Sequence, residues 1–267
     1  MLLPAFDQIG DYAHVYLSPH LDDAALSCGG AIARATAAGE RVLVVDLCTG
    51  APAPNARFSA LAHDIHTNEW RLDPRDAMAA RLREDEGALQ QLRADAFRAD
   101  LLDAIYRMPA SYNSREALFG TPARSDTLLP ALRDLIAALR ARLPNATIYA
   151  PLGVGGHVDH QVTYIAALTA GGRLAYYEDY PYVQQPGALE KRLEALGQDF
   201  ASTTIDITAT LEQKIAAIGA YTSQLDVLFG GPAGMAQAVE DYADSVRPAG
   251  ASYGARIWRH AGSRARD

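Results

Sequence analysis

Two short stretches of the chain carry residue types that can bind a metal ion and transfer protons. Residues 18–23 read Ser-Pro-His-Leu-Asp-Asp, and residues 157–160 read His-Val-Asp-His. Together they supply the imidazoles and carboxylates that a metal-assisted hydrolase needs. Either stretch alone is explained as readily by a turn and a helix cap, since Asp caps helices well. Each follows an expected strand and precedes an expected helix, and this joint placement favours one shared site.

The spacing within the two stretches suggests a role for each side chain. His20 and Asp23 can turn toward one point where a loop enters a helix, and His160 can complete a set of two imidazoles and one carboxylate. Zinc accepts this set and keeps a fourth position for water. Asp22 faces differently from Asp23, so it is suited to accept a proton. His157 lies within reach of the open side, where it can stabilise an oxyanion or protonate a leaving amine.

Asp159 is expected to hold a neighbouring imidazole in its tautomer. The same ligand set also suits a non-heme iron oxygenase. Those ligands usually lie on a β-barrel, whereas this chain has an α/β pattern.

The glycines at 153–156 lack the G-x-x-x-x-G-K-[ST] phosphate-loop pattern, and no G-x-G-x-x-G follows the first strand. We interpret them as letting the backbone approach the metal site closely.

The bulk composition indicates one sizeable core and disfavours several classes of protein. The chain has 267 residues, 49% of them apolar, so we expect a single domain spanning residues 1–267. No apolar run reaches the ~20 residues that span a bilayer, and the first residues lack the pattern of a secretion signal. We therefore expect a cytoplasmic protein. The net charge of −8 disfavours a nucleic-acid surface.

Two features of the composition need their own interpretation. Cys28 and Cys48 are too few for a disulfide framework and are expected to be buried free thiols. The C-terminal arginines are interpreted as a solvated tail rather than a binding patch: Arg256, Arg259, Arg264 and Arg266.

Hydrophobic periodicity predicts alternating strands and helices. This alternation predicts an α/β fold, a Rossmann-like three-layer α/β/α sandwich with a mainly parallel sheet, in which ligands bind beyond the carboxyl ends of the strands. Residues 51–73 are expected to form a long loop with at most a helical turn. Strands are expected at 14–18, 41–47, 99–102, 146–150, 173–177 and 205–207, and helices at 31–38, 74–92, 126–142, 160–170, 211–221 and 235–246.

These motifs resemble those of a known family. The stretch at 18–23 looks like the first signature of the PIG-L (LmbE-like) zinc-dependent N-deacetylases, and Gly-His-Val-Asp-His at 156–160 looks like the second. Weaker resemblances cover most of the rest in the family's order: Arg-Leu-Arg-Glu-Asp at 81–85, Tyr-Glu-Asp-Tyr-Pro-Tyr at 177–182, and Lys214 with Tyr-Thr-Ser-Gln at 221–224.

The resemblance implies a Rossmann-like fold and one divalent metal, usually zinc, although another ion such as Fe²⁺ is compatible. It also implies hydrolysis of an N-acetyl group on an amino sugar or its conjugate. The family pattern makes His20, Asp23 and His160 the metal ligands, in agreement with the reasoning from spacing. It makes Asp22 the general base and His157 the electrophilic or acid partner, and Asp159 matches the Asp of the second signature.

The chain also departs from the family pattern. Leu21 and Ala24 stand where the family commonly has Pro and Glu. Neither position is needed as a ligand, so the departures leave the metal site intact and open the question of the substrate subgroup. Arg81 is a candidate for binding a substrate hydroxyl or phosphate. An i,i+3 pair with Glu84 on a solvated helix face explains Arg81 equally well.

We therefore expect a hydrolase that removes an acetyl group from a small-molecule N-acetylglucosamine-type substrate. An amidase that cleaves a larger acyl or thiol conjugate at the same site is an alternative. A non-catalytic metal-binding protein is a third, although a base beside the ligands argues against it. The sequence leaves open whether the chain forms a homo-oligomer. Residues 51–73 and the segment after Tyr180 are expected to form a substrate-selecting rim, with Trp70, Tyr180 and Tyr182 as stacking candidates.

Overall fold

The computed structural model describes residues 1–261 and is built around one eight-stranded sheet. The strands are β1 (Leu2–Leu3), β2 (His14–Ser18), β3 (Val42–Asp46), β4 (Asp95–Arg98), β5 (Thr147–Pro151), β6 (Leu174–Tyr177), β7 (Phe200–Asp206) and β8 (Gly254–His260). Their order across the sheet is β1-β4-β3-β2-β5-β6-β8-β7. The first six strands are parallel, and β8 is antiparallel to both β6 and β7. The mainly parallel sheet confirms the expected fold class.

Helices cover both faces of the sheet. They are α1 (Asp23–Ala37), α2 (Ala60–Asp64), α3 (Ala77–Leu92), α4 (Ala104–Arg107), α5 (Arg115–Leu118), α6 (Leu128–Arg142), α7 (Val158–Ala170), α8 (Ala188–Leu196), α9 (Leu211–Gly219), α10 (Thr222–Phe229) and α11 (Pro232–Ser245). Side chains of α6 and α7 pack on one face of β2, β3 and β5, and side chains of α1, α3 and α9 pack on the other. Strands buried on both faces explain their continuous apolar runs. None of the helices in residues 1–261 is long and apolar enough to cross a membrane.

The order of the strands reverses between β2 and β5. From β2 the chain builds β3 and β4 on one side, and then crosses to place β5 and β6 on the other side. The loops that leave β2 and β5 therefore diverge and open a crevice at the carboxyl edge of the sheet, where open α/β sheets bind ligands. The two motifs lie on these loops, so the topology brings together residues separated by most of the chain.

Helix α1 differs from the expectation. It begins at Asp23 and runs through Gly29 and Gly30, rather than starting after this pair. A Cβ atom at Gly29 would lie 3.0 Å from Lys214 Cγ, and one at Gly30 would lie 2.7 Å from Ile207 Cδ1. The glycines therefore serve close packing and not helix initiation. The earlier start places Asp23 in the first helical turn.

Other boundaries also differ from the expectation. The strand expected at 99–102 is β4, at Asp95–Arg98, and the regular strand ends before Asp100, whose φ of 55° is outside the range of a strand. The stretch 51–73, expected to be irregular, contains α2 and a π-helical segment, Ile65–Trp70. The pattern missed β8, which contains Arg256, and this side chain forms an ion pair with Glu178 rather than lying in a solvated tail.

Several smaller expectations can also be compared with the structure. Arg259 also lies in β8, whereas Arg264 and Arg266 fall outside the described residues. Both cysteines are buried and free, as expected.

A pair of buried carboxyl groups lies beneath the loop that follows β2. Neither carboxyl oxygen of Asp46 has a hydrogen-bond partner among the described residues, and burial together with the nearby Asp85 charge raises the pKa of Asp46 well above its ordinary value. The Tyr221 hydroxyl lies 2.9 Å from both the Leu21 carbonyl oxygen and Asp85 Oδ1. Burial and the proximity of the two carboxyl groups therefore favour a proton on this pair.

Replacing Asp85 by Asn is expected to flatten the pH dependence of stability. Burial raises the pKa of Asp85 to about 7, with Asp22 and Glu86 adding to the shift and Tyr221 and Arg98 opposing it. The folded chain then keeps a proton that the unfolded chain releases near pH 4, so the free energy of unfolding falls as the pH rises between about pH 4 and pH 7. Asn offers a donor and an acceptor without ionising.

Thermal unfolding at about pH 5 and pH 8 measures this effect. The drop in Tm should be smaller for Asp85→Asn than for the wild type. Asp134→Asn, on the exposed side of α6 and away from this pair, is the matched control and should keep the wild-type drop. An equal drop in all three proteins would contradict the prediction.

Candidate functional site

The site residues lie on two loops and the helix starts that follow them. His20 and Asp22 lie between β2 and α1, and Asp23 opens α1. Ser18 shapes this loop, because its hydroxyl donates to the His20 carbonyl at 2.6 Å and accepts the Ala24 N–H at 3.0 Å. The second motif supplies its side chains from the first turn of α7, where His157 is the capping residue and Asp159 and His160 follow.

Three of the predicted ligand atoms form a nearly equilateral triangle. His20 Nδ1 lies 3.4 Å from Asp23 Oδ2, which lies 3.2 Å from His160 Nε2, and the two nitrogens are 3.3 Å apart. Ligand atoms about 2.0–2.1 Å from a tetrahedral zinc ion stand about 3.3 Å from one another. The three side chains therefore have the chemistry and the spacing to hold a zinc-sized ion.

The outer nitrogens of both imidazoles are also engaged. His160 Nδ1 lies 2.6 Å from Asp179 Oδ1, and His20 Nε2 lies 3.2 Å from Asp159 Oδ2 and 3.4 Å from Asp103 Oδ2. A carboxylate at the outer nitrogen places the ring proton there and leaves the inner nitrogen free to bind. Asp159 thus lies where its expected role requires, beside His20.

The supporting carboxylates are themselves fixed. Asp179 Oδ2 accepts the backbone N–H groups of Gly153 and Val154, each at 2.8 Å. These glycine-rich residues therefore approach the site through Asp179. Asp159 accepts from Arg107 at 2.7 Å and from the Ala104 N–H at 3.1 Å. Both carboxylates are fully buried and held from two directions, so the imidazoles have little freedom to rotate.

The charges of the site are strongly coupled. Burial by itself would raise the pKa of Asp23, but the neighbouring His160 and His20 hold it well below its ordinary value. Burial likewise opposes protonation of His160, yet Asp23 and Asp179 raise its pKa to about 10. The cluster thus favours an ionised carboxylate surrounded by positive charge, which is also the electrostatic environment of a metal centre.

Asp22 points into the cleft beside Arg81 and not toward the triangle. Arg81 Nη2 lies 3.3 Å from Asp22 Oδ1, and both side chains are buried. Burial raises the pKa of Asp22, while Arg81 opposes this and the Asp23 charge adds to it. Glu84 accepts from Ser223 and does not pair with Arg81, so the alternative of a solvated i,i+3 pair is wrong.

His157 has a defined tautomer in this arrangement. Its Nδ1 accepts the backbone N–H of Asp159 at 3.2 Å, so in the neutral ring the proton is on Nε2. Burial and the nearby His20 lower the pKa of His157 well below its ordinary value. A neutral imidazole that presents an N–H is a hydrogen-bond donor for a developing oxyanion.

Two other donor groupings occur among the described residues. His20, His157 and His160 offer ring nitrogens within 4.8 Å of one another, as do the donor atoms of His20, Cys48 and Asp159. The first is less suited to a metal because His157 Nδ1 already accepts a hydrogen bond. The second is less suited because burial raises the pKa of the Cys48 thiol well above 9.

A cleft of about 730 Å³ opens above these residues. Trp70 and Tyr182, two of the aromatic side chains expected at the rim, line it, and so does Arg81, the candidate for binding a substrate hydroxyl. Tyr180 also reaches the cleft but is fully buried and packs against Phe229 and Tyr242. Of the three aromatic candidates, Tyr180 is therefore the one that belongs mainly to the core.

Several site residues were not singled out from the sequence. Asp179 follows β6 and therefore lies at a strand end, which is the signal that could have found it. Asp103 caps the short helix α4 and Arg107 ends it, and the four residues of this helix are too few to show periodicity. Phe119 lines the cleft from a segment with no motif, and Gln224 lines it from the segment 221–224, whose resemblance to the family did not single out this residue.

Asp179→Asn is expected to weaken binding of a divalent metal by about 10–100-fold without unfolding the chain. The Asn oxygen must accept from Gly153 and Val154, so its NH₂ group faces His160 Nδ1. His160 then carries its proton on Nε2, the nitrogen that faces the triangle. Competition with a chelator measures the affinity. Asp134→Asn on the exposed side of α6 is the control, and equal affinities for the two variants would contradict the role of Asp179.

Comparisons with known proteins agree with this geometry. Residues 15–171 match the family model described as PIG-L: GlcNAc-PI de-N-acetylase. The chain is 33% identical to a 2'-N-acetylparomamine deacetylase from Streptomyces fradiae, over 79% of this chain and 72% of the relative. A 2'-N-acetylparomamine deacetylase from Niallia circulans is 25% identical over 82% of each chain.

A solved structure supports the same assignment. The crystal structure of the zinc-inhibited form of teicoplanin deacetylase Orf2 has a TM-score of 0.75 and 29% identity, and the match covers 91% of this chain and 96% of that chain. The family model spans more than half of the chain and contains both metal motifs. The chain therefore belongs to the PIG-L (GlcNAc-PI de-N-acetylase) family of deacetylases.

Proposed function

We propose that this deacetylase holds one zinc ion between His20 Nδ1, Asp23 Oδ2 and His160 Nε2, and removes the N-acetyl group of an amino sugar or its conjugate. The observation that carries the proposal is the triangle of ligand atoms, with edges of 3.2–3.4 Å, at the base of a cleft. Zinc with two His and one carboxylate is the ligand set of hydrolytic sites with an open position.

The surplus of buried acids supports a bound cation. Asp22, Asp23, Asp103, Asp159 and Asp179 are all buried around the imidazoles. Arg81 and Arg107 lie 3.3 Å and 2.7 Å from two of these carboxylates. Unpaired buried carboxylates are costly, so a divalent ion at the triangle would offset charge that the protein leaves uncompensated.

When bound, zinc supplies Lewis-acid polarisation of the acetyl carbonyl and of the attacking water. Asp22 is the group that takes the proton from this water. It lies beside Asp23 but points into the cleft, and burial raises its pKa toward the range of a useful general base. The Arg81 charge opposes that rise of the pKa and favours the ionised carboxylate.

His157 acts on the other side of the reacting carbonyl. Its Nε2–H is free to donate to the acetyl oxygen as negative charge develops there, because Nδ1 is already engaged by the Asp159 amide. Asp159 therefore serves both imidazoles, through its side chain to His20 and through its backbone to His157.

Arg81 is placed to bind the sugar. Its Nε has no hydrogen-bond partner among the described residues, although the side chain is buried. Its guanidinium carbon lies 4.7 Å from the centre of the Trp70 ring, so the group is held flat against an aromatic face. An orphaned buried donor in a cleft suits a substrate hydroxyl. The names of the relatives, which include paromamine and teicoplanin deacetylases, support a sugar-conjugate substrate.

The experiment combines metal analysis with acetate release from a panel of N-acetylated sugars. The wild-type protein should contain about one zinc per chain. His160→Ala should lose the metal and the activity together. Asp22→Asn should retain the metal and lose activity by about 10²–10⁴-fold, as expected for removal of a general base.

The two variants serve as controls for each other, because both remove a buried polar group of the same cleft. Full metal content in His160→Ala would contradict the ligand assignment. Loss of metal from Asp22→Asn in parallel with activity would show that the two adjacent aspartates have been assigned the wrong roles. If the wild-type protein contained iron(II) instead of zinc, the ligand assignment would stand and only the identity of the metal would change.

A further inference from the structure

The outer part of the cleft has a large apolar wall, beside the Glu69–Arg115 ion pair. Its half-buried or exposed wall is formed by side chains from four separate segments: Trp70, Phe119, Pro181, Tyr182, Val227 and Leu228. Val227 is 43% exposed, and only three other large apolar side chains among residues 1–261 are more than about one third exposed. Large apolar groups exposed beside a reactive site usually mark a binding surface.

This wall is continuous with the catalytic base of the cleft. The ring of Tyr182 lies 6.1 Å from the His160 ring and 5.8 Å from the Phe119 ring, and Phe119 lies 5.2 Å from His157. The aromatic surface therefore starts at the imidazoles and extends outward. If the acetamide of a substrate binds at the base of the cleft, the aglycone attached to its sugar would contact this wall.

The charged groups of the cleft are already paired. Glu69 forms an ion pair with Arg115, and Asp22 lies 3.3 Å from Arg81. Asp103 lies 3.4 Å from the His20 imidazole, at the base and not in the outer part. Asp23, the remaining carboxylate of the described lining, lies in the triangle beside His160, so the outer part offers no unpaired carboxylate for an ammonium group of the substrate. Ammonium groups placed there would lose water without gaining a partner.

We propose that the outer cleft is a subsite for an apolar or aromatic aglycone on the N-acetylated sugar, and that it disfavours a polyamine aglycone. The inference rests on the proposed function, because it takes the acetamide to bind at the metal site. Trp70, Phe119 and Val227 are the residues that set this preference. Apolar burial at the wall stabilises the enzyme–substrate complex.

Three substrates with the same sugar test the proposal: methyl and phenyl glycosides of N-acetylglucosamine, and 2'-N-acetylparomamine as the polyamine. We expect kcat/KM for the phenyl glycoside to exceed that for the methyl glycoside by about tenfold or more, through a lower KM, because the phenyl ring buries apolar surface that the methyl group lacks. The value for the paromamine substrate should lie below that for the methyl glycoside.

The Val227→Asp variant adds a carboxylate to the wall. It should lower the phenyl-to-methyl ratio of kcat/KM by about tenfold and raise the paromamine-to-methyl ratio. Ratios within one protein cancel any loss of folded enzyme. Ile165→Asp is the matched control, because Ile165 is also an exposed apolar side chain, 36% exposed, and lies on α7 outside the cleft lining. Both ratios should keep their wild-type values in this control.

The outcomes separate the two proposals. If none of the three substrates releases acetate, the proposed function fails and the subsite proposal fails with it. If the methyl glycoside is deacetylated but the phenyl glycoside is no better, the proposed function stands and the apolar subsite is wrong. A wild-type preference for the paromamine substrate, or the same ratios in Val227→Asp as in Ile165→Asp, would also overturn it.

Discussion

The approach of the Asp23 carboxylate to the imidazoles of His20 and His160 is the interaction on which the site depends. Three polar atoms stand 3.2–3.4 Å apart in a buried crevice, and Asp23 Oδ2 also accepts the His20 backbone N–H at 2.8 Å. Polar groups are this close in a protein interior only when fixed charges and hydrogen bonds hold them. The strand reversal and the helix starts bring the three side chains together, and the neighbouring carboxylates hold the two imidazoles in place.

A network of acids and backbone amides connects this interaction to the sheet. Asp179 ties His160 to the end of β6, while Asp159 ties His20 to Arg107 and through it to Asp126. The base of the cleft is therefore held by several strand ends and cannot rotate freely. The outer wall consists instead of short helices and connecting segments, which can vary without disturbing the base. Under the proposals made above, the chemistry belongs to the base of the cleft and the choice of substrate to its outer wall.

The sequence was informative wherever a local pattern has a local cause. Continuous apolar runs predicted the buried parallel strands β2, β3, β5 and β6, because burial on both faces leaves no room for alternation. The two motifs predicted the positions of His20, Asp23 and His160 at strand ends. The prediction failed at α1, where Gly29 and Gly30 were expected to open the helix but instead admit Lys214 and Ile207. No residue close to these glycines in sequence indicates that Lys214 and Ile207 will pack against them.

The sequence by itself thus determined the fold class, the family and the residue types of the site. The tertiary structure alone decided which side chains support them. Asp179, Arg107 and Phe119 lie outside the two motifs, and only the packing of separate elements brings them to the imidazoles. The tertiary structure also decided that Arg81 faces Asp22 and not Glu84. The physical reason is that periodicity reports the environment of a residue on its own element, whereas a site is made of contacts between elements.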